Sequence, residues 1–174
     1  MENPSHQLQI NSEQFQQDCE QLVKVSNDLG DSWSLCRQGN DVWLENIVFK
    51  CFNEGEPTSR TVQSTYEIHY NLSYGVPVLY CRFSSMSGEL LDHDTVKDLI
   101  LGDNVTSEMV SMAPHPRTGI PWYQIHPCRT ASTSAEIRQN VDSEGVMCDY
   151  LTTFLSLYGQ AVGLTLSPLY AIPR

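Results

Sequence analysis

Lysine is scarce in this 174-residue chain: Lys24, Lys50 and Lys97 are the only ones among 10 basic residues, against 21 acidic residues, for a formal net charge of −11. No basic stripe is available to neutralise phosphates, which argues against nucleic-acid binding. Long apolar runs are missing too. None approaches the roughly 20 residues that a membrane-spanning helix needs. The stretch from Met1 to Asn11 is polar and has neither the basic nor the apolar region of a signal peptide. A cytoplasmic location with no membrane span is therefore expected. Paired cysteines are absent as well. The six cysteines fall at 19, 36, 51, 81, 128 and 148 with no CxxC pair, which speaks against a structural zinc site or a secreted disulfide framework. No repeat, low-complexity tract or linker divides the chain, so one domain over residues 1–174 is expected, with 1–11 flexible.

What is present is a globular composition, 40% hydrophobic, with a readable pattern. Asn11 or Ser12 can cap a helix in which Phe15, Cys19, Leu22, Val23 and Ser26 recur at helical spacing, and Gly30 supplies its stop. Trp33 to Arg37 and Val42 to Phe52 read as strands joined by the turn Gln38-Gly39-Asn40-Asp41. Asn53 to Ser59 is an acidic loop. Thr61 to Tyr74 alternates, with Tyr66, Ile68, Tyr70, Leu72 and Tyr74 on one face and Glu67, His69, Asn71 and Ser73 on the other. Gly75-Val76-Pro77 breaks the run, and Val78 to Phe83 resumes it. Turns this short exclude crossover helices, so the four strands form an antiparallel meander. Further on, Asp94 can cap a short helix through Leu101, and another helical turn is expected between Val105 and Met112. Pro114 to Gly119 is a loop, and Val146 to Tyr158 has the helical period. The order defines an α+β fold: an N-terminal helix, a sheet of four or more strands, and C-terminal helices.

The most informative segment is Pro121-Trp122-Tyr123-Gln124-Ile125-His126-Pro127-Cys128-Arg129-Thr130. A strand-like run carries a histidine, a rigid proline and a cysteine into a polar loop. A thiol placed there suits covalent chemistry better than packing, whereas the other five cysteines fall within predicted elements and read as small hydrophobes. A cysteine hydrolase pairing Cys128 with a distant histidine, His69 or His93, is one reading of such a thiol. It fits poorly, because hydrolase nucleophiles commonly sit at a helix N-terminus. A metal held by His115, His126 and Cys128 lacks a fourth ligand at useful spacing. No metal and no cofactor are expected.

Three segments carry a resemblance to a known family. Tyr70-Asn71-Leu72-Ser73-Tyr74-Gly75-Val76-Pro77-Val78-Leu79-Tyr80 is similar to its Tyr-rich strand followed by Val-Pro-Val-Leu-Tyr. Pro121 to Arg129 matches its aromatic run ending in His-Pro-Cys, and Tyr150 to Leu166 matches its C-terminal helix and Val-Gly-Leu segment. The family is that of autophagy-related protein ten, the E2-like enzymes of autophagy. Leu91 to Pro116 departs most from the family pattern. The resemblance implies an E2-like (UBC-like) fold and a ubiquitin-like-conjugating acyltransferase. It implies that Cys128 accepts the modifier Atg twelve from the E1 enzyme Atg seven as a thioester, then passes it to a lysine of Atg five. Ubiquitin-type E2 enzymes place an asparagine shortly before the cysteine, and none stands in this loop. His126 is the candidate polar group near the thioester, and Tyr70 is a second candidate on a neighbouring strand. A backbone hydrogen bond for His126, and a core or interface role for Tyr70, are the plainer readings of the same residues. A non-catalytic adaptor with the same fold is the remaining alternative.

Overall fold

The computed structural model describes residues 10–53, 59–103, 105–126 and 150–172. Helix α1 spans Ser12–Leu29 and is bounded as its sequence dictates. The Asn11 side chain accepts from the Gln14 amide at 2.7 Å, and Gly30 closes the helix in the left-handed conformation at φ 68°. Phe15, Cys19, Leu22, Val25 and Ser26 form its buried face.

Six strands follow: β1 (Ser34–Gln38), β2 (Asp41–Asn53), β3 (Ser59–Asn71), β4 (Val76–Ser85), β5 (Val110–Pro114) and β6 (Pro121–Ile125). They form one sheet in the order β1-β2-β3-β4-β6-β5, and every neighbouring pair is antiparallel. The first four make the expected meander. β1 and β2 meet at a two-residue turn with Gly39 at φ 59°, the geometry that matches the twist of the paired strands. Between β4 and β5 lie helix α2 (His93–Val96), capped by Asp92, and a π-helical turn over Lys97–Leu101. Asp92 therefore takes the capping place expected of Asp94. Of the helical turn expected between Val105 and Met112, one hydrogen-bonded turn is present, the Val110 amide donating to the Thr106 carbonyl at 3.1 Å, and from Val110 onward the expectation is corrected to strand. Val110–Pro114 is extended because it pairs with β6 along its whole length, across the loop from His115 to Ile120, and the residues of β5 alone do not reveal that partner.

The two faces of the sheet bury different chemistry. On one, Leu44, Tyr66, Ile68, Leu79, Cys81, Phe83, Tyr123 and Ile125 join the core of α1 and of α3 (Tyr150–Tyr158). Burying such side chains is worth roughly 1.5–3 kcal/mol each. Inside this core the Tyr66 hydroxyl donates to the Val162 carbonyl at 2.9 Å. On the other face Val78, Tyr80 and Trp122 form a second, smaller cluster beside Glu67 and His69. After α3, two 3₁₀ turns, Gly159–Val162 and Pro168–Ala171, bring the chain back against α1, where the Tyr170 hydroxyl donates to Asp31 at 2.7 Å.

Candidate active site

Strand β6 leads straight into the His-Pro-Cys segment. Its alternation is steep: Tyr123 and Ile125 enter the main core, while Trp122 packs on the opposite face. Tyr123 is fixed further by a 3.0 Å hydrogen bond between its hydroxyl and His93 Nδ1. His126 follows directly and is half-buried. Its amide donates to the Met109 carbonyl at 3.0 Å, so the β5–β6 ladder runs one residue past the formal strand end. Pro127 and Cys128 lie outside the described residues, and with them the spacing between the sulfur and the imidazole.

Tyr70 lies near the end of β3 on the helix side of the sheet. Its ring is 5.7 Å from that of Phe15, and its hydroxyl donates to the Ile10 carbonyl at 2.7 Å. In this arrangement the phenol ties the entry of α1 to the sheet. His69 and His93, the partners weighed for a hydrolase, are engaged with Glu67 and Tyr123 respectively.

On the opposite face the structure assembles a group that the sequence reading did not bring together. Glu67 on β3 is buried, with 2% of its surface exposed. Its Oε2 lies 2.7 Å from His69 Nε2 and 3.1 Å from His115 Nε2. Arg117 spans both carboxylate oxygens, with Nη2 at 2.8 Å from Oε1 and 3.1 Å from Oε2. The guanidinium carbon also sits 4.0 Å over the Trp43 ring, and the His115 ring stacks on Trp122 at 4.3 Å. Burial alone would raise the Glu67 carboxyl. The hydrogen bonds from His69 and Arg117 outweigh it, helped by the charges of His115 and His69, and hold Glu67 at about 2. Burial pulls His115 below the ordinary histidine value, with His69 and Arg117 adding to the effect and Glu67 opposing it. The signal in the sequence was slight: Glu-x-His in a strand and His-x-Arg in a proline-bounded loop, some 50 residues apart.

A four-strand antiparallel meander with an N-terminal helix on one face, and a late strand leading into His-Pro-Cys, is the E2-like class of α+β domain. The family model described as "Autophagocytosis associated protein, active-site domain" matches residues 44–169, from β2 to the last 3₁₀ turn. The ubiquitin-like-conjugating enzyme ATG10 of Homo sapiens is 26% identical over 206 aligned positions, covering 93% of this chain and 92% of that protein. ATG10 of Arabidopsis thaliana is 31% identical over 138, covering 68% and 61%. The crystal structure of the autophagic E2 Atg10 superposes with a TM-score of 0.55 at 14% identity, covering 88% of this chain and 97% of that one. That likeness establishes the fold. The chain belongs to the ATG10 family of ubiquitin-like-conjugating enzymes.

Proposed function

We propose that Cys128 is the acyl carrier and that the chain joins Atg twelve to Atg five in the cytoplasm. The Cys128 thiolate attacks the thioester between Atg seven and the C-terminal glycine of Atg twelve, and the E1 thiol leaves. A lysine amine of Atg five then attacks the new thioester carbonyl. The Cys128 thiolate departs, the amine gives up a proton, and an isopeptide bond remains. His126 donates to the oxyanion of the tetrahedral intermediate or takes the lysine's proton. The observation that carries this reading is the course of β6. Anchored in the core through Tyr123 and Ile125, it ends at His126, two residues before the one cysteine of the matched active-site domain that stands after a His-Pro pair.

Recognition of Atg five is assigned to the half of β2 that lies beyond the reach of β1. β1 reaches β2 only as far as Glu45, leaving Asn46–Asn53 without a β1 partner, and Ile47 and Phe49 are exposed there at 39% and 56%. Phe49→Glu is expected to weaken Atg five binding at least tenfold in a pull-down titration and leave thioester formation with Atg twelve intact; undiminished binding would remove this edge from consideration.

The decisive assay mixes the protein with Atg seven, ATP and Atg twelve and resolves the products with and without reductant. A reductant-sensitive adduct that Cys128→Ser abolishes or converts to a reductant-resistant ester is the expected result. Absence of any adduct where a control E2 charges would leave hydrolase or adaptor as the function. His126→Ala is expected to slow discharge to lysine; wild-type charging and discharge would leave the imidazole a structural role only.

A further inference from the structure

The β5–β6 hairpin is joined to the rest of the sheet at few points. β5 and β6 pair at five positions, but β6 pairs with β4 only at Tyr80↔Gln124 and Cys81↔Tyr123. With so short a ladder, the angle of the hairpin to the sheet is set mainly by side-chain contacts, Tyr123 and Ile125 on one face and Trp122 on the other, and any change in that angle is delivered to the residues that follow Ile125. The other end of the hairpin supplies a second fixture. Its turn, closed by the His115 amide on the Ile120 carbonyl at 2.9 Å, folds back over the outer face of the sheet. There His115 and Arg117 close on Glu67 of β3, on the far side of β4.

We propose that Glu67, His115 and Arg117 form a charged latch that fixes the β5–β6 hairpin against β3 and so orients the His126-Pro127-Cys128 segment for acyl transfer. They are positioning residues, acting through β6, and their role rests on the reading of Cys128 as the carrier. The latch is specific in its chemistry. Arg117 grips the carboxylate with two nitrogens, Nη2 on Oε1 at 2.8 Å and Nε toward Oε2 at 3.4 Å, a fork that lysine cannot reproduce, and its stacking on Trp43 holds the guanidinium in register. His115 is held from both sides: Nε2 faces Glu67 and Nδ1 lies 3.3 Å from the Thr118 hydroxyl. A neutral imidazole that donates from Nε2 and accepts at Nδ1 satisfies both. His69 completes the shell around the same carboxylate oxygen.

Glu67, His69 and His115 also place three potential metal-ligand atoms within 4.8 Å of one another. The geometry favours hydrogen bonds over a metal. The 2.7 Å between Glu67 and His69 is a hydrogen-bond length, shorter than the roughly 3.3 Å between two ligands of tetrahedral zinc at their usual bond lengths. The guanidinium on the same carboxylate further opposes a second cation.

The test compares wild type with Glu67→Gln and Arg117→Lys, each shown folded by circular dichroism. Amide hydrogen exchange over residues 122–126 reads the latch without any chemistry, and it is expected to rise at least tenfold in Glu67→Gln. Single-turnover formation and discharge of the Cys128 thioester should slow about tenfold, with unchanged half-saturation for the charged E1. Arg117→Lys should fall in between, because charge remains while the fork is lost. Unchanged exchange in folded Glu67→Gln overturns the latch. Faster exchange with wild-type transfer rates overturns its link to the reaction. No wild-type thioester at all refutes the Cys128 reading and is recognised as such, since exchange is measured separately. Thermal stabilisation of wild type, but not of Glu67→Gln, by added Zn²⁺ would replace the latch with a metal site.

Discussion

Tyr70 shows how one hydroxyl separates two roles. Its hydrogen bond to the Ile10 carbonyl fastens the chain just ahead of α1. Tyr70→Phe keeps the ring on Phe15 and removes that bond, so urea denaturation is expected to show a loss of about 1 kcal/mol with the rate of Cys128 charging unchanged. Slower charging at equal stability would return the phenol to the thioester. Glu67 and Arg117 make the complementary point. A glutamate on the polar side of an alternating strand reads as solvent-facing, yet Glu67 is buried because a loop some 50 residues later folds over it. No local pattern encodes that pairing, and the same holds for His115, whose neighbours in space are Glu67, Trp122 and Tyr80 and whose neighbours in sequence are prolines. The His-Pro-Cys segment was legible for the opposite reason: its three residues are contiguous.

Among the elements, α1 and the first four strands were legible because their signals are local: an Asn cap, a Gly stop, and a period of 2 bounded by turn residues. β5 was not, since its five residues become a strand only through β6, and the alternation of Val110-Ser111-Met112 ends after three residues at Ala113 and Pro114. The Val162-Gly163-Leu164 segment was noticed through resemblance, and the structure gives it a physical reason. Val162 and Leu164 are buried, while Gly163 turns the chain between them at φ 72° and offers its carbonyl to the Lys50 ammonium. A Cβ there would lie 2.9 Å from Ile100 Cγ2. Gly163→Ala is expected to lower stability by about 1–2 kcal/mol through left-handed strain and that contact. A loss below a few tenths in the same denaturation assay would show that the turn relaxes freely. At the other end, Asn11→Ala should lower stability by about 1 kcal/mol through loss of the helix cap, and a cap replaced by Asp should restore it.

At the scale of the whole molecule, acid should act on the sheet's outer face in two separate windows. A histidine held below its ordinary value resists protonation in the folded state, so His115 contributes stability that is complete above about pH 6.5 and declines as the pH falls below it. A carboxyl held low behaves differently in range. Glu67 contributes stability that is complete above about 4.5 and is lost only as the pH falls toward about 2, at about 1.4 kcal/mol per unit of displacement. Between these windows lies the sequence pI of about 4.7, where the net charge of −11 at neutral pH has vanished and solubility is lowest. Precipitation near that pH is therefore a matter of lost repulsion, with Glu67 still ionised and its contacts to Arg117 intact. Urea midpoints measured at low protein concentration distinguish the two effects. Wild type should lose stability between pH 7 and 5.5, and His115→Gln should lose markedly less over the same interval. Glu67→Gln should be less stable than wild type at pH 5 and should lose less stability than wild type between 4.5 and 2.5, the loss that remains coming in part from Glu20 and Asp92, which their own hydrogen bonds also hold low. Equal pH slopes for wild type and His115→Gln above pH 5.5 would mean that the imidazole keeps its ordinary value in the fold, whereas a wild type that gained stability on acidification relative to His115→Gln would mean that the imidazole is already charged against Glu67 at neutrality; either result would require the neutral, low-titrating form assigned to it to be given up.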